Sequence, residues 1–157
     1  MSFFHFIKSD ICAIYSEITI LSLAKSFLNP SIHACFLIRL SIACKSRLLH
    51  VLVRNVLITK HSIDIGFGAV IGRALLLPHP MGIVIGEGVV IGDGVRIYQN
   101  CTMGNKGGYP TIGSCCVIYP GSVIVGEVII GNSCVIGANT FLDKNLLENS
   151  SFYGQCL

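Results

Sequence analysis

From Ile112 to Leu142 an aliphatic side chain returns at every sixth position: Ile112, Ile118, Ile124, Ile130, Ile136 and Leu142. Small or β-branched residues, Cys116, Ser122, Val128, Cys134 and Thr140, stand two places before the last five. A period of six is neither the 3.6 of a helix nor a plain two-residue alternation; it suits very short strands joined by tight corners, three to a turn of a coil. Glycine follows the aliphatic residue at Gly113, Gly131 and Gly137, where a corner needs either positive φ or close backbone approach. The pattern predicts a parallel β-helix with coils stacked about 4.8 Å apart.

The same register recurs upstream at Ile65, Ile71 and Leu77, then at Ile85, Ile91, Ile97 and Met103. It breaks twice. Pro78-His79-Pro80-Met81-Gly82 lengthens the step from Leu77 to Ile85, and Gly104 to Thr111 lengthens the step from Met103 to Ile112. Insertions in a solenoid emerge as loops, and loops on a rigid scaffold are where chemistry is placed.

Residues 1 to 62 lack the register and read as a helical segment preceding a β-helix domain over 63 to 157. A helix start is predicted at Asn29-Pro30-Ser31, with asparagine as cap and proline in the first turn. Arg39, Arg47, His50 and Arg54 form one stripe at helical spacing, opposite Phe36, Leu37, Ile42, Leu48 and Leu52. The expectation is a solvated basic face on a helix that covers the open edge of the first coil. The alternative is peripheral contact with a membrane surface or an anionic partner.

The mean hydropathy, +0.73, raises the question of a membrane span. The longest uncharged run, Gly107 to Gly126, carries glycines and prolines that a spanning helix of about 20 residues would not. Burial of flat, uncharged prism faces against copies of the chain explains the composition better and predicts a closed cyclic oligomer. A net charge of +3 gives no argument for nucleic acid. Met1 to Asp10 lacks the layout of a secretory signal, which predicts a cytoplasmic protein. Eight cysteines include no Cys-x-x-Cys arrangement, and Cys101, Cys116 and Cys134 occupy the inward small-residue position, so they read as core packing.

Asp64 lies beside the inward isoleucines of the first rung, and His79 follows fifteen residues later in the first loop. With about 18 residues per coil and a bulge between them, the two side chains are expected near one another on successive rungs. A carboxylate fixes the tautomer of a histidine and stabilises its imidazolium, which suits a general base. Pro78 and Pro80 stiffen the backbone on either side.

Several segments together resemble the serine O-acetyltransferase family of hexapeptide-repeat acyltransferases. They are Ile63-Asp64-Ile65, the run from Leu77 to Glu87, the run from Val95 to Gly104, and Tyr109-Pro110-Thr111-Ile112-Gly113. The resemblance spans about residues 61 to 154 and extends loosely to Asn29-Pro30-Ser31-Ile32-His33. It implies a left-handed β-helix, assembled as a homotrimer or dimer of trimers with active sites between subunits, and acetyl-CoA as donor. It also implies His79 as general base and Asp64 as its orienting partner, with the pantetheine arm passing Gly104, Gly121, Ser122 and Ala138 on the exterior and bonding mainly to backbone.

Relatives that acetylate free serine carry an aspartate before the histidine and an Arg-His pair before the proline of the second loop. Here Pro78, Gly108 and Tyr109 occupy those substrate-binding places. A desolvated zwitterion needs charged partners, which these residues do not supply. The expected acceptor is therefore a hydroxyl on a surface-polysaccharide sugar or its precursor, with serine as the alternative. A zinc carbonic anhydrase needs three histidines, and the β-helix region offers only His61 and His79, so no metal is expected. A non-catalytic trimeric scaffold is the remaining alternative, because many relatives continue past this point with residues that cover CoA, whereas the sequence ends at Leu157.

Overall fold

The computed structural model describes residues 3–15, 17–26 and 28–154. Four helices come first: α1 Phe3–Tyr15, α2 Ile20–Ser26, α3 Pro30–Ala43 and α4 Arg47–His61. Asn29 caps α3 as expected, its side chain accepting from Ser31 N at 2.9 Å with Pro30 in the first turn. None of the helices among the described residues is long and apolar enough to cross a membrane.

The rest is a left-handed parallel β-helix of about four turns, built on three sheets. The first sheet holds β1 Asp64–Ile65, β3 Val84–Ile85, β6 Thr102–Gly104, β9 Val123–Val125 and β12 Phe141–Leu142. The second holds β2 Val70–Ile71, β4 Val90–Ile91, β7 Thr111–Ile112 and β10 Ile129–Ile130. The third holds β5 Arg96–Ile97, β8 Val117–Ile118, β11 Val135–Ile136 and β13 Ser151–Phe152.

Every aliphatic of the six-residue register, from Ile65 to Leu142, points inward and is at most 5% exposed. Each such side chain stabilises the coil by about 1.5–3 kcal/mol when fully buried. Cys101, Cys116 and Cys134 are buried among them, and burial pushes the Cys116 thiol up to about 11. The glycines after the aliphatics are there for close approach. A Cβ at Gly113 would lie 2.7 Å from Asn132 N on the coil below, and one at Gly131 would run into the Glu148 backbone. Positive φ falls instead two residues further on, at Cys115, Ser133 and Asn139.

The registers Val84↔Thr102 and Val123↔Phe141 are three hexapeptides long. Asp64↔Val84 and Thr102↔Val123 are longer by two and three residues, which are the two insertions. The first loop emerges at the corner between the third and first sheets, and the second at the corner between the first and second.

The basic stripe is split rather than solvated throughout: Arg47 is exposed as expected, but two of its members turn inward. Arg39 and His50 are 4% and 3% exposed, whereas Leu48 and Leu52 are 70% and 55% exposed. The cause is the open edge of the first coil. Arg39 donates to the carbonyls of Ile71 and Gly72 at 2.8 and 2.6 Å, and to both carboxylate oxygens of Asp10 at 2.8 and 2.9 Å. Asp10 in turn accepts from Leu75 N at 2.9 Å. Backbone groups that would be orphaned at the edge require charged partners more than α3 requires another apolar contact.

Removing one partner of a buried pair strands the other, so Arg39→Met is expected to lower unfolding stability by about 3–5 kcal/mol. Urea denaturation reads this directly. A loss within about 0.5 kcal/mol, the range of an ordinary surface change, would contradict the capping role.

Candidate functional site

His79 stands on the exposed corner loop between Leu77 and β3. The flanking prolines fix φ on both sides, Pro80 is buried, and Met81 N donates to the His79 carbonyl at 2.9 Å. At Gly82, φ is +66°, and a side chain there would collide with that of Asn100. The imidazole is therefore presented outward on a constrained backbone. Its ring centroid lies 6.3 Å from that of Tyr98, which stacks on Tyr119 at 5.3 Å and 5°. The three rings form a ladder down one corner of successive coils.

Asp64 opens β1, its N–H donating to the Ile83 carbonyl at 2.9 Å, and its side chain stands on the outer face of the first sheet. Arg54 on α4 engages both carboxylate oxygens, through Nε and, at 2.7 Å, through Nη2. These hydrogen bonds hold the Asp64 carboxyl below the usual range. Among the described residues no hydrogen bond joins Asp64 to His79. The sequence placed Arg54 in the basic stripe but gave no sign of this pairing.

A cleft of about 340 Å³ opens beside Asp64. Arg47, His50, Arg54, Asp64, Phe67, Gly86 and Glu87 are among its lining residues. Pro78 lies half-buried beside His79, while Tyr109 belongs to the cleft's surroundings: a Cβ at Gly86 would lie 2.6 Å from its ring, and one at Gly88 would also collide with it. Gly108 is held against the next coil, where a Cβ would come 2.6 Å from that of Glu127. Lys106 pins the second loop further down, 2.7 Å from Asp143 and 5.5 Å above the Phe141 ring.

The four residues expected along the pantetheine arm are differently disposed. Gly104 faces open space, since a Cβ there would meet only Val125, at 3.9 Å. Gly121, with φ of +72°, and exposed Ala138 stack below His79 on the same corner. Ser122 is fully buried, its hydroxyl within 2.7 and 2.8 Å of the carbonyls of Tyr119 and Gly137, so only its backbone is available to an exterior ligand.

A histidine pair escaped the sequence reading. His33 Nδ1 and His61 Nε2 lie 2.7 Å apart, joining α3 to α4. Burial, then the neighbouring His33, lower the His61 pKa, opposed by a hydrogen bond with the Pro80 backbone.

Comparison with known proteins bears on what this arrangement does. The family described as bacterial transferase hexapeptide (six repeats) matches residues 109–144. The chain is 36% identical over 137 residues to a serine acetyltransferase of Helicobacter pylori, covering 81% of this chain and 79% of that one. Serine acetyltransferase isoform 3 of Entamoeba histolytica, solved in complex with cysteine, is 29% identical with a TM-score of 0.82. That alignment covers 99% of this chain but only 59% of the Entamoeba chain. Soybean serine acetyltransferase complexed with serine is 26% identical with a TM-score of 0.88, covering 98% of this chain and 68% of the soybean chain.

These likenesses overturn the sugar acceptor expected from Pro78, Gly108 and Tyr109, because the similar proteins are named for serine. Lack of charge at three matched positions is a weak argument where two arginines, an aspartate and a glutamate line a cleft beside one of them.

Because Arg54 depresses the pKa of Asp64 in the folded state, the pair's contribution to stability is present above the ordinary carboxylate value of about 3.9 and is lost as pH falls through the lower, folded value. Arg54→Met is expected to return the Asp64 titration, followed by carboxyl-carbon NMR, towards the ordinary value. An unshifted titration would show that Arg54 does not set it.

Proposed function

Since the chain belongs to the serine acetyltransferase family of hexapeptide-repeat acyltransferases, we propose that it transfers the acetyl group of acetyl-CoA to the hydroxyl of L-serine. The observation that carries this reading is His79, an exposed imidazole on a proline-stiffened corner loop of the β-helix.

His79 takes the proton of the serine hydroxyl as that oxygen adds to the thioester carbonyl, and returns it to the departing thiolate. Asp64 orients the base in the working site. An ionised carboxylate serves that purpose best, and its partnership with Arg54 keeps it ionised. Acetyl-CoA is the co-substrate and supplies the activated acyl group. Gly104, the Gly121–Ser122 backbone and Ala138 hold its pantetheine arm on the exterior; the openness of the surface at Gly104 and Ala138 agrees with this.

The working unit is a homotrimer. Val70, Val90 and Ile129 stand exposed along the second sheet, and Val84 and Phe141 along the first. Such rows of exposed β-branched and aromatic side chains favour burial against copies of the same chain. A cytoplasmic setting agrees with the unpaired thiols of the cysteines among the described residues.

Thiol release from acetyl-CoA is expected to depend on added L-serine and to fall by about 10²–10⁴ in His79→Ala, the range for loss of a general base. Serine-dependent release that persists unchanged in the variant would remove His79 from the mechanism.

A further inference from the structure

Four charged side chains line the cleft beside the first sheet: Arg47 and Arg54 from α4, Asp64 from β1, and Glu87 from the turn after β3. Two of them are committed to each other, Arg54 embracing Asp64 through two nitrogens. His50, the other titratable group in the lining, is buried, with Nδ1 3.0 Å from Ser41 Oγ. Arg47 and Glu87 are placed differently. Their charged atoms are 3.6 Å apart, and their side chains are 78% and 57% exposed. A pair so loose and so wet contributes little to stability, so little is lost when it opens. Opening it yields one cation and one anion beside the same cleft.

Resting on the serine acetyltransferase reading, we infer that Arg47 and Glu87 are the specificity-determining pair for an α-amino acid acceptor. Arg47 receives the carboxylate and Glu87 the ammonium. The guanidinium is steadied 5.1 Å over the Phe67 ring, which leaves its planar fork free to accept a carboxylate in bidentate fashion. Glu87 lies between Gly86 and Gly88, which the Tyr109 ring covers, and its carboxylate stands exposed beside the cleft where an incoming ammonium can reach it. A zwitterion leaving water needs a partner for each charge. Pro78, Gly108 and Tyr109 offer none, and this pair offers both. His79 is not in the lining; it precedes β3, whereas Glu87 follows it.

The test compares kcat/KM for L-serine with that for L-serinamide, which lacks the carboxylate, and for 3-hydroxypropionate, which lacks the ammonium. Losing a charge-assisted contact costs about tenfold or more. Arg47→Gln is expected to reduce the preference for serine over serinamide by about that factor, with partial recovery in Arg47→Lys. Glu87→Gln is expected to do the same for serine over 3-hydroxypropionate. Both residues are exposed, and thermal melts verify that the variants fold. If the wild-type protein uses L-serine and both variants keep its preferences, the assignment is wrong and the functional reading stands. If the wild-type protein does not use L-serine, both fall.

Discussion

A solenoid has to be closed at its first coil, and here the Asp10–Arg39 pair does so. Strands stacked in parallel satisfy one another everywhere except at the ends, where carbonyls and amides face outward with no next rung. The chain covers the first end with helices, and the contact that matters most between them and the coil is polar. Arg39 reaches the carbonyls of Ile71 and Gly72 while Asp10 receives the amide of Leu75 and neutralises the arginine. Two buried charges are tolerated because each is paired and because each also satisfies backbone that would otherwise be orphaned. This contact fixes α1 and α3 over the coil, and through α3 it fixes α4.

The position of α4 in turn shapes the site. Its C-terminal His61 lies against Pro80, behind the loop that carries His79; Arg54 stands over Asp64; and Arg47 leans on Phe67 beside Glu87. One helix thus reaches the loop that carries His79, the carboxylate and the cleft in turn. The coil supplies the other half. Its plain hexapeptides are rigid, and the two insertions leave at different corners, one lifting His79 into solvent and the other folding Tyr109 across Gly86 and Gly88. The chemistry depends on irregularities whose positions are set by the regular part.

The regular part was legible because period six has few interpretations. An aliphatic residue at each inward position, with Cys116, Ser122 or Cys134 two places earlier, leaves little choice of fold, and the two long steps locate the loops. Asn29 and Pro30 likewise announced a helix start by local chemistry alone. What could not be read was the direction in which a charged stripe faces. Arg39, His50 and Arg54 at helical spacing look like a solvated face unless the partner surfaces are known, and those are an unpaired strand edge with Asp10 for Arg39 and the Asp64 carboxylate on the first sheet for Arg54. The same blindness produced the sugar acceptor. Charge was sought at Pro78, Gly108 and Tyr109, whereas the cleft takes its charge from α4 and from the turn at Glu87, which are brought together only by folding.

The most direct measurement is identification of the product formed from L-serine and acetyl-CoA labelled with ¹³C at the acetyl carbonyl. The account predicts an ester carbonyl coupled to the serine β-protons, which places the acetyl group on the hydroxyl oxygen. Label recovered only as free acetate, or carried by no serine-derived species while thiol is released, would contradict it.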